Sequence, residues 1–135
     1  MQEAAREALV AFVATAYAAA YPASPAVFDN DPFDWNSPPE TFVEVEIKFY
    51  DGAQVNISAD PKTRLRGFVY VTAYARQGTG SKLALQILDW FNARLKYAVV
   101  DPVQLQEPRP DGSDDGRKTG YYTESLKVEF HTRPA

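Results

Sequence analysis

The sequence predicts an α+β fold: a mainly antiparallel or mixed sheet of four to five strands packed with two helices, in the order α-β-β-β-α-β-β. Three observations predict it. Apolar residues recur at helical spacing in two separate stretches. Other stretches alternate apolar and polar residues with period two, as a half-buried strand does. The strands fall in runs that short connections can pair as hairpins. The chain has 135 residues, 45% apolar and 13% aromatic, which suits one domain spanning 1–135. A chain of this length buries about two-thirds of its unfolded surface, so it has material for a core and does not read as disordered.

The first helix is predicted over residues 3–20. Leu9, Phe12, Val13, Ala16 and Ala20 form one apolar stripe within alanine-rich sequence, and alanine favours helix intrinsically. Pro22 and Pro25 stop the run. The apolar part, Ala8 to Ala20, is shorter than the roughly 20 residues that span a membrane. Glu3 and Glu7 outnumber Arg6 where a secretory leader has a cationic start. A buried helix is therefore expected here.

Residues 22–41, "PASPAVFDNDPFDWNSPPET", hold five prolines together with Phe28, Phe33 and Trp35. Such proline density excludes a helix or a central strand. Each large aromatic left in water forgoes about 1.5–3 kcal/mol of burial. The segment reads as an extended strap lying across the body or covered by a partner subunit.

In "FVEVEIKFY", Val43, Val45, Ile47 and Phe49 alternate with Glu44, Glu46 and Lys48, giving a strand with one buried and one wet face. Asp51-Gly52 offers a hairpin turn, and "AQVNIS" reads as a short return strand before the loop "ADPKTRL". In "RGFVYVTAYA", Val69, Val71 and Ala73 oppose Phe68, Tyr70 and Tyr74. A strand bulky on both faces is expected to be covered on both. From Ser81, an N-cap candidate beside Thr79, the period becomes helical. Ala84, Ile87, Leu88, Phe91, Leu95 and Ala98 share a face that Leu83 and Trp90 widen. "VVDPVQLQEP" reads as one strand and "EPRPDGSDDGRKTG" as a polar loop, mobile from Asp111 to Gly120 in an isolated subunit. "YYTESLKVEFHT" closes the chain as a strand with Tyr122, Leu126, Val128 and Phe130 facing one way.

Composition excludes some chemistry. With no cysteine there is no disulfide and no thiolate metal site. Fourteen Lys and Arg against 18 Asp and Glu leave a charge of −4, which argues against a protein whose main task is gripping nucleic acid. His131, the only histidine, reads as a strand residue without the convergent partners a base requires. The turn "GTGSK" at 78–82 sits between strand and helix like a phosphate loop. A Walker loop, however, separates its two glycines by four residues and places its lysine directly after the second. Here Ser81 separates Gly80 from Lys82, and Gly78 is only two positions before Gly80. A dinucleotide fingerprint fails as well, since Leu83 stands where the third glycine belongs.

The acidic runs do not make calcium loops either. Counted from Asp111, the twelfth position is Tyr122 instead of a bidentate glutamate, and Asp34 occupies the glycine position of the run that starts at Asp29. The serines sit in turns, at a cap or in a strand, with one imidazole in the whole chain. No catalytic residue, metal site or cofactor is assigned, and the chain is not expected to be an enzyme. The basic series Lys62, Arg64 and Arg66, with Arg76 and Lys82, falls in two groups at opposite ends of one strand. It reads as a solvated rim, or as contact with an acidic partner subunit or DNA phosphates.

Taken together, the opening helix, the "NDPF" strap, "FVEVEIKFY", "RLRGFVYVTAYARQGTG" running into "SKLALQILDWF", the late loop "PRPDGSDDGRKTG" and the closing "YYTESLKVEFHT" resemble the tail-terminator (tail-completion) proteins of long non-contractile-tailed phages. The related phage and prophage proteins of unknown function share the likeness. It lies in order and punctuation across nearly the whole chain, and is sharpest at Gly67 and the Gly78/Gly80 turn. The resemblance implies a mixed sheet with two packed helices, assembled as a hexameric ring. Such a ring docks on the last ring of tail-tube protein, stops polymerisation and presents a surface to the head-tail connector protein, while DNA passes without specific binding. It also implies a virion tail protein made in the bacterial host cytoplasm, a structural role without a membrane, and a subunit that can be a monomer in isolation. Subunit or partner contacts are expected at Phe33, Trp35, Arg64, Arg66, Arg76 and Lys82. The alternative reading is a small non-enzymatic binding module for nucleic acid or another protein, acting without a ring.

Overall fold

The computed structural model describes residues 2–28, 39–54, 63–76, 82–114 and 120–132. Two helices, α1 (Gln2–Ala20) and α2 (Lys82–Leu95), accompany seven strands: β1 (Ala26–Phe28), β2 (Thr41–Gln54), β3 (Thr63–Arg76), β4 (Val99–Val100), β5 (Val103–Leu105), β6 (Arg109–Asp114) and β7 (Tyr121–Thr132). They form one mixed sheet in the order β1-β2-β3-β7-β5-β4, with β6 paired to β7. β1 runs parallel to β2 and every other pair is antiparallel. The α+β class and the two helices agree with the sequence reading, while the number of strands exceeds it.

Both helices pack on one face of the sheet, because each carries a stripe that period-two strands can meet. Ala5, Leu9, Val13 and Tyr17 of α1 and Ala84, Ile87, Leu88, Phe91 and Leu95 of α2 are buried. They close over Val43, Val45 and Ile47 of β2, Val69, Val71, Ala73 and Ala75 of β3, and Leu126, Val128 and Phe130 of β7. The aromatic centre of this layer is Tyr17, whose ring lies 5.2 Å from Phe91 and 5.5 Å from Trp90. Arg94 joins the helices: its Nε and Nη2 donate to the Phe12 carbonyl at 3.2 and 2.8 Å, and its guanidinium lies 3.9 Å from the Phe12 ring centroid.

Several expectations are corrected. No hairpin turn occurs at Asp51-Gly52; β2 continues through it to Gln54, and Ala53 and Gln54 belong to the same strand. A bulge lies between Phe49 and Asp51, where Tyr50 is the extra residue, and a bulge absorbs local turn preference without ending a strand. The stretch "VVDPVQLQEP" is two short strands, β4 and β5, joined through a cis Asp101-Pro102 bond. Residues Arg109–Asp114 of the predicted loop form β6. Pro110 and the exposed charges of this strand suit an edge, where an unpaired side needs protection from pairing with other chains. The strap enters as β1, a short edge strand, in keeping with its prolines. Leu83 does not widen the buried face of α2; it is exposed.

Gly67 is required where it sits. It pairs with Phe49 on one side and Phe130 on the other, and those two rings meet edge to face above it at 5.5 Å. A Cβ at this position would stand 2.7 Å from the Phe130 ring and collide with the Lys48 carbonyl.

A candidate interaction surface on the open sheet face

Alternation sends Val69, Val71 and Ala73 of β3 toward the helices and Phe68, Tyr70, Thr72 and Tyr74 to the opposite face. Among the described residues no helix lies over that second face. Side chains from neighbouring strands cover it instead. Phe42 stacks on Tyr74 at 4.5 Å with the rings nearly parallel, Tyr121 meets Phe42 edge-on at 5.5 Å, and Phe42 is fully buried although it points away from the helices. The Tyr121 hydroxyl donates to the Pro39 carbonyl, holding the end of the strap against this corner.

Further along, Tyr50 stacks on Phe68 at 5.0 Å, and Phe68 lies 5.7 Å from Tyr70. Lys48 sits over Tyr70 at 5.8 Å, Lys127 over Phe68 at 5.1 Å and Arg66 over Tyr50 at 5.8 Å. A cation over a ring face is attracted by the ring quadrupole, and its methylene stem shields apolar surface. These aromatics therefore hold their place with no helix over them among the described residues.

The ladders fix where the charges stand. Glu46 and Lys127 flank Tyr70 on either side, and Lys48 and Glu129 flank Phe68. Lys48 pairs with Glu46 at 3.4 Å, Lys127 with Asp111 at 3.9 Å, and Glu129 accepts from the Tyr50 hydroxyl at 2.7 Å. Thr72 and Ser125 share a hydrogen bond at 3.1 Å. Burial, aided by the Glu44 carboxylate to which its hydroxyl donates, pushes the Tyr74 phenol up to about 12.

At one end of this face lies a polar cleft of about 260 Å³ that includes Arg66, Tyr97, Glu107, Arg109, Glu129 and His131. The Tyr97 hydroxyl donates to Glu107. The His131 ring is held between Gln104, 2.7 Å from Nε2, and Gln106, 3.3 Å from Nδ1. In the arrangement that satisfies both, Nε2–H donates to the Gln104 carbonyl and Nδ1 accepts from the Gln106 amide. Both contacts are structural, and charges of both signs line the cleft. Among the described residues no group of three or more His, Asp or Glu is placed to hold a metal ion. Among the described residues, too, no helix is long and apolar enough to cross a membrane.

The residues singled out from sequence are dispersed. Phe33 and Trp35 lie outside the described residues, as does the side chain of Arg64, whose backbone belongs to β3. Arg66 is on the open face, while Arg76 is at the other end of the same strand, with its amide donating to the Glu40 carbonyl. Ten steps along the strand place them about 33 Å apart. Lys82 opens α2, exposed to solvent.

Residues missed as site candidates are Glu46, Lys48, Lys127 and Glu129. Their signal was the reversed pair of tripeptides, Glu46-Ile47-Lys48 and Lys127-Val128-Glu129. It acquires meaning only once β3 is known to lie between β2 and β7.

No family model and no curated protein matches the chain. Seventeen chains of solved structures do match it. One of them, a protein known only by a sequence number, superposes with a TM-score of 0.74 at 16% identity, covering 98% of this chain and 96% of its own. At that identity the likeness shows a common fold over the full length of both chains, and nothing about activity or partners.

Proposed function

We propose that this chain is a structural virion-assembly protein of the tail-terminator type. It caps the phage tail tube, ends its polymerisation and provides the surface to which the head connector joins. The observation that supports this reading is architectural: a mixed sheet carrying two helices on one face, the arrangement implied by the resemblance in sequence order. One landmark of that resemblance also falls at a structural joint: Gly67 lies beneath two crossed phenylalanines. Gly78 and Gly80 lie outside the described residues.

On this reading the protein acts by shape. Copies associate as a hexameric ring, with contacts at rims and edges, and the acidic balance of −4 lets DNA slide past without sticking. The test is to mix the purified chain with tubes of tail-tube protein from the phage or prophage that encodes it. Electron microscopy should show a ring at one tube end, and tube growth should stop. Tubes that keep growing, with no added density at either end, would refute the proposal.

A binding module without a ring is the second reading. Cations over aromatic rings on an open sheet face favour it, since single-stranded nucleic acids use both features. The two carboxylates, Glu46 and Glu129, set among those cations rank it second.

A further inference from the structure

On the open face, four charges stand at the corners of a rectangle around the aromatic column of β3. Glu46 lies on the β2 side and Lys127 on the β7 side of Tyr70; Lys48 lies on the β2 side and Glu129 on the β7 side of Phe68. Like charges occupy the diagonals. Such a pattern is complementary to itself.

When a second copy is turned over about an axis along β3, Glu46 meets the other copy's Lys127 and Lys48 meets its Glu129. When it is turned about the axis crossing the strands, Glu46 meets Lys48 and Lys127 meets Glu129. Either two-fold brings opposite charges together at every corner and lays Phe68 and Tyr70 of one copy over those of the other. We propose that this face pairs two copies of the chain face to face across a two-fold axis. Isologous contacts of this kind use the same patch on both subunits.

Chemistry and size set the strength of the pair. The centre is aromatic and the rim charged, the usual anatomy of a protein interface. Phe42 is already fully buried, so three strands over the four rows from Glu44 to Tyr50 offer about 300 Å² of each copy. Standard stable interfaces bury about 800 Å² per partner, so this one belongs with transient associations that form at high protein concentration. The inference does not rest on the tail-terminator reading. Neighbours in a cyclic ring meet through two different patches, and no two-fold relates them. The pair is therefore a state of the free chain, separate from the ring contact.

Sedimentation velocity of the free chain, over a concentration series and without tail-tube protein, tests it. A reversible monomer–dimer equilibrium is expected, weakened by salt because the rim is ionic. Lys127→Glu sets like charges opposite each other under either axis and should weaken the dimer on the order of tenfold or more. Glu46→Lys should do the same from another corner, and serves if Lys127→Glu does not fold by circular dichroism. A compensating second reversal should then restore pairing: Glu46→Lys with Lys127→Glu for the axis along β3, or Lys127→Glu with Glu129→Lys for the crossing axis. A chain that stays monomeric throughout the series overturns the inference. So does a dimer indifferent to both single reversals, or a monomer whose open-face amides shift only when single-stranded DNA is added. Ring capping of tail tubes is read in a separate assay, so the two proposals stand or fall independently.

Discussion

Gly67 has no room for a side chain, and two other residues, Tyr17 and Tyr74, show how narrowly single positions are specified in this chain. Gly67→Ala drives a methyl group into the Lys48 carbonyl and the Phe130 ring. Because one obstacle is backbone, relief requires moving a ladder, and a loss of about 3 kcal/mol is expected in urea denaturation. Tyr17 shows the opposite case. Its hydroxyl is buried with no hydrogen-bond partner, a condition that costs free energy while the ring still packs. Tyr17→Phe should therefore stabilise the protein by about 1 kcal/mol, read as a rise of about 3–5 °C in Tm. Burial also pushes the Tyr17 phenol well above its usual value of 10.

The same holds for Tyr74, raised to about 12 by burial first and the Glu44 carboxylate second. A phenol whose folded pKa lies above its unfolded value favours the folded state fully below pH 10. That contribution is lost as pH rises toward 12, because the unfolded chain ionises first. Tm should fall steeply across that window, and Tyr74→Phe should flatten the fall. An unchanged slope in the variant would show that Tyr74 does not drive it.

At the scale of elements, the helices were legible because their apolar residues repeat with a period that no strand shares. The expected span of α1, residues 3–20, differs from the observed Gln2–Ala20 by one residue. Its buried stripe was less well read: Tyr17 is buried and Ala20 is exposed, since the stripe drifts along the helix with the sheet beneath it. Strands were legible where one face is apolar, as in β2, β3 and β7.

Short strands were not legible. β4, β5 and β6 span two, three and six residues; β5 and β6 exist because β7, a partner that lies elsewhere in the chain, offers them a ladder, and β4 pairs in turn with β5. The Asp51-Gly52 turn signal failed for a related reason: β3 continues alongside to Thr63, and pairing with it overrides a local preference. The open face was half legible. Its wet residues on β2 were plain, but its rectangle of charges requires the register between three strands. Between elements, Arg94 links α2 to the Phe12 carbonyl and ring. Arg94→Ala should cost about 1 kcal/mol, and Arg94→Lys should not restore it, since an ammonium lacks the planar fork that bonds and stacks together.

At the scale of the whole molecule, the proposed function is one of shape. One face of the sheet is sealed by two helices; the other presents aromatics shielded by lysine and arginine side chains. The fold recurs over the full length of a solved structure with only 16% identity. Architecture of this kind is held by burial pattern and register more than by particular surface residues. The sharpest division between assembly by shape and action on a ligand comes from counting subunits where the tube ends. Cryo-electron microscopy of tail tubes grown with this chain should resolve a ring of six copies on the terminal tube ring, with tubes of arrested length. Tubes of unrestricted length whose ends carry tube protein alone would contradict the account.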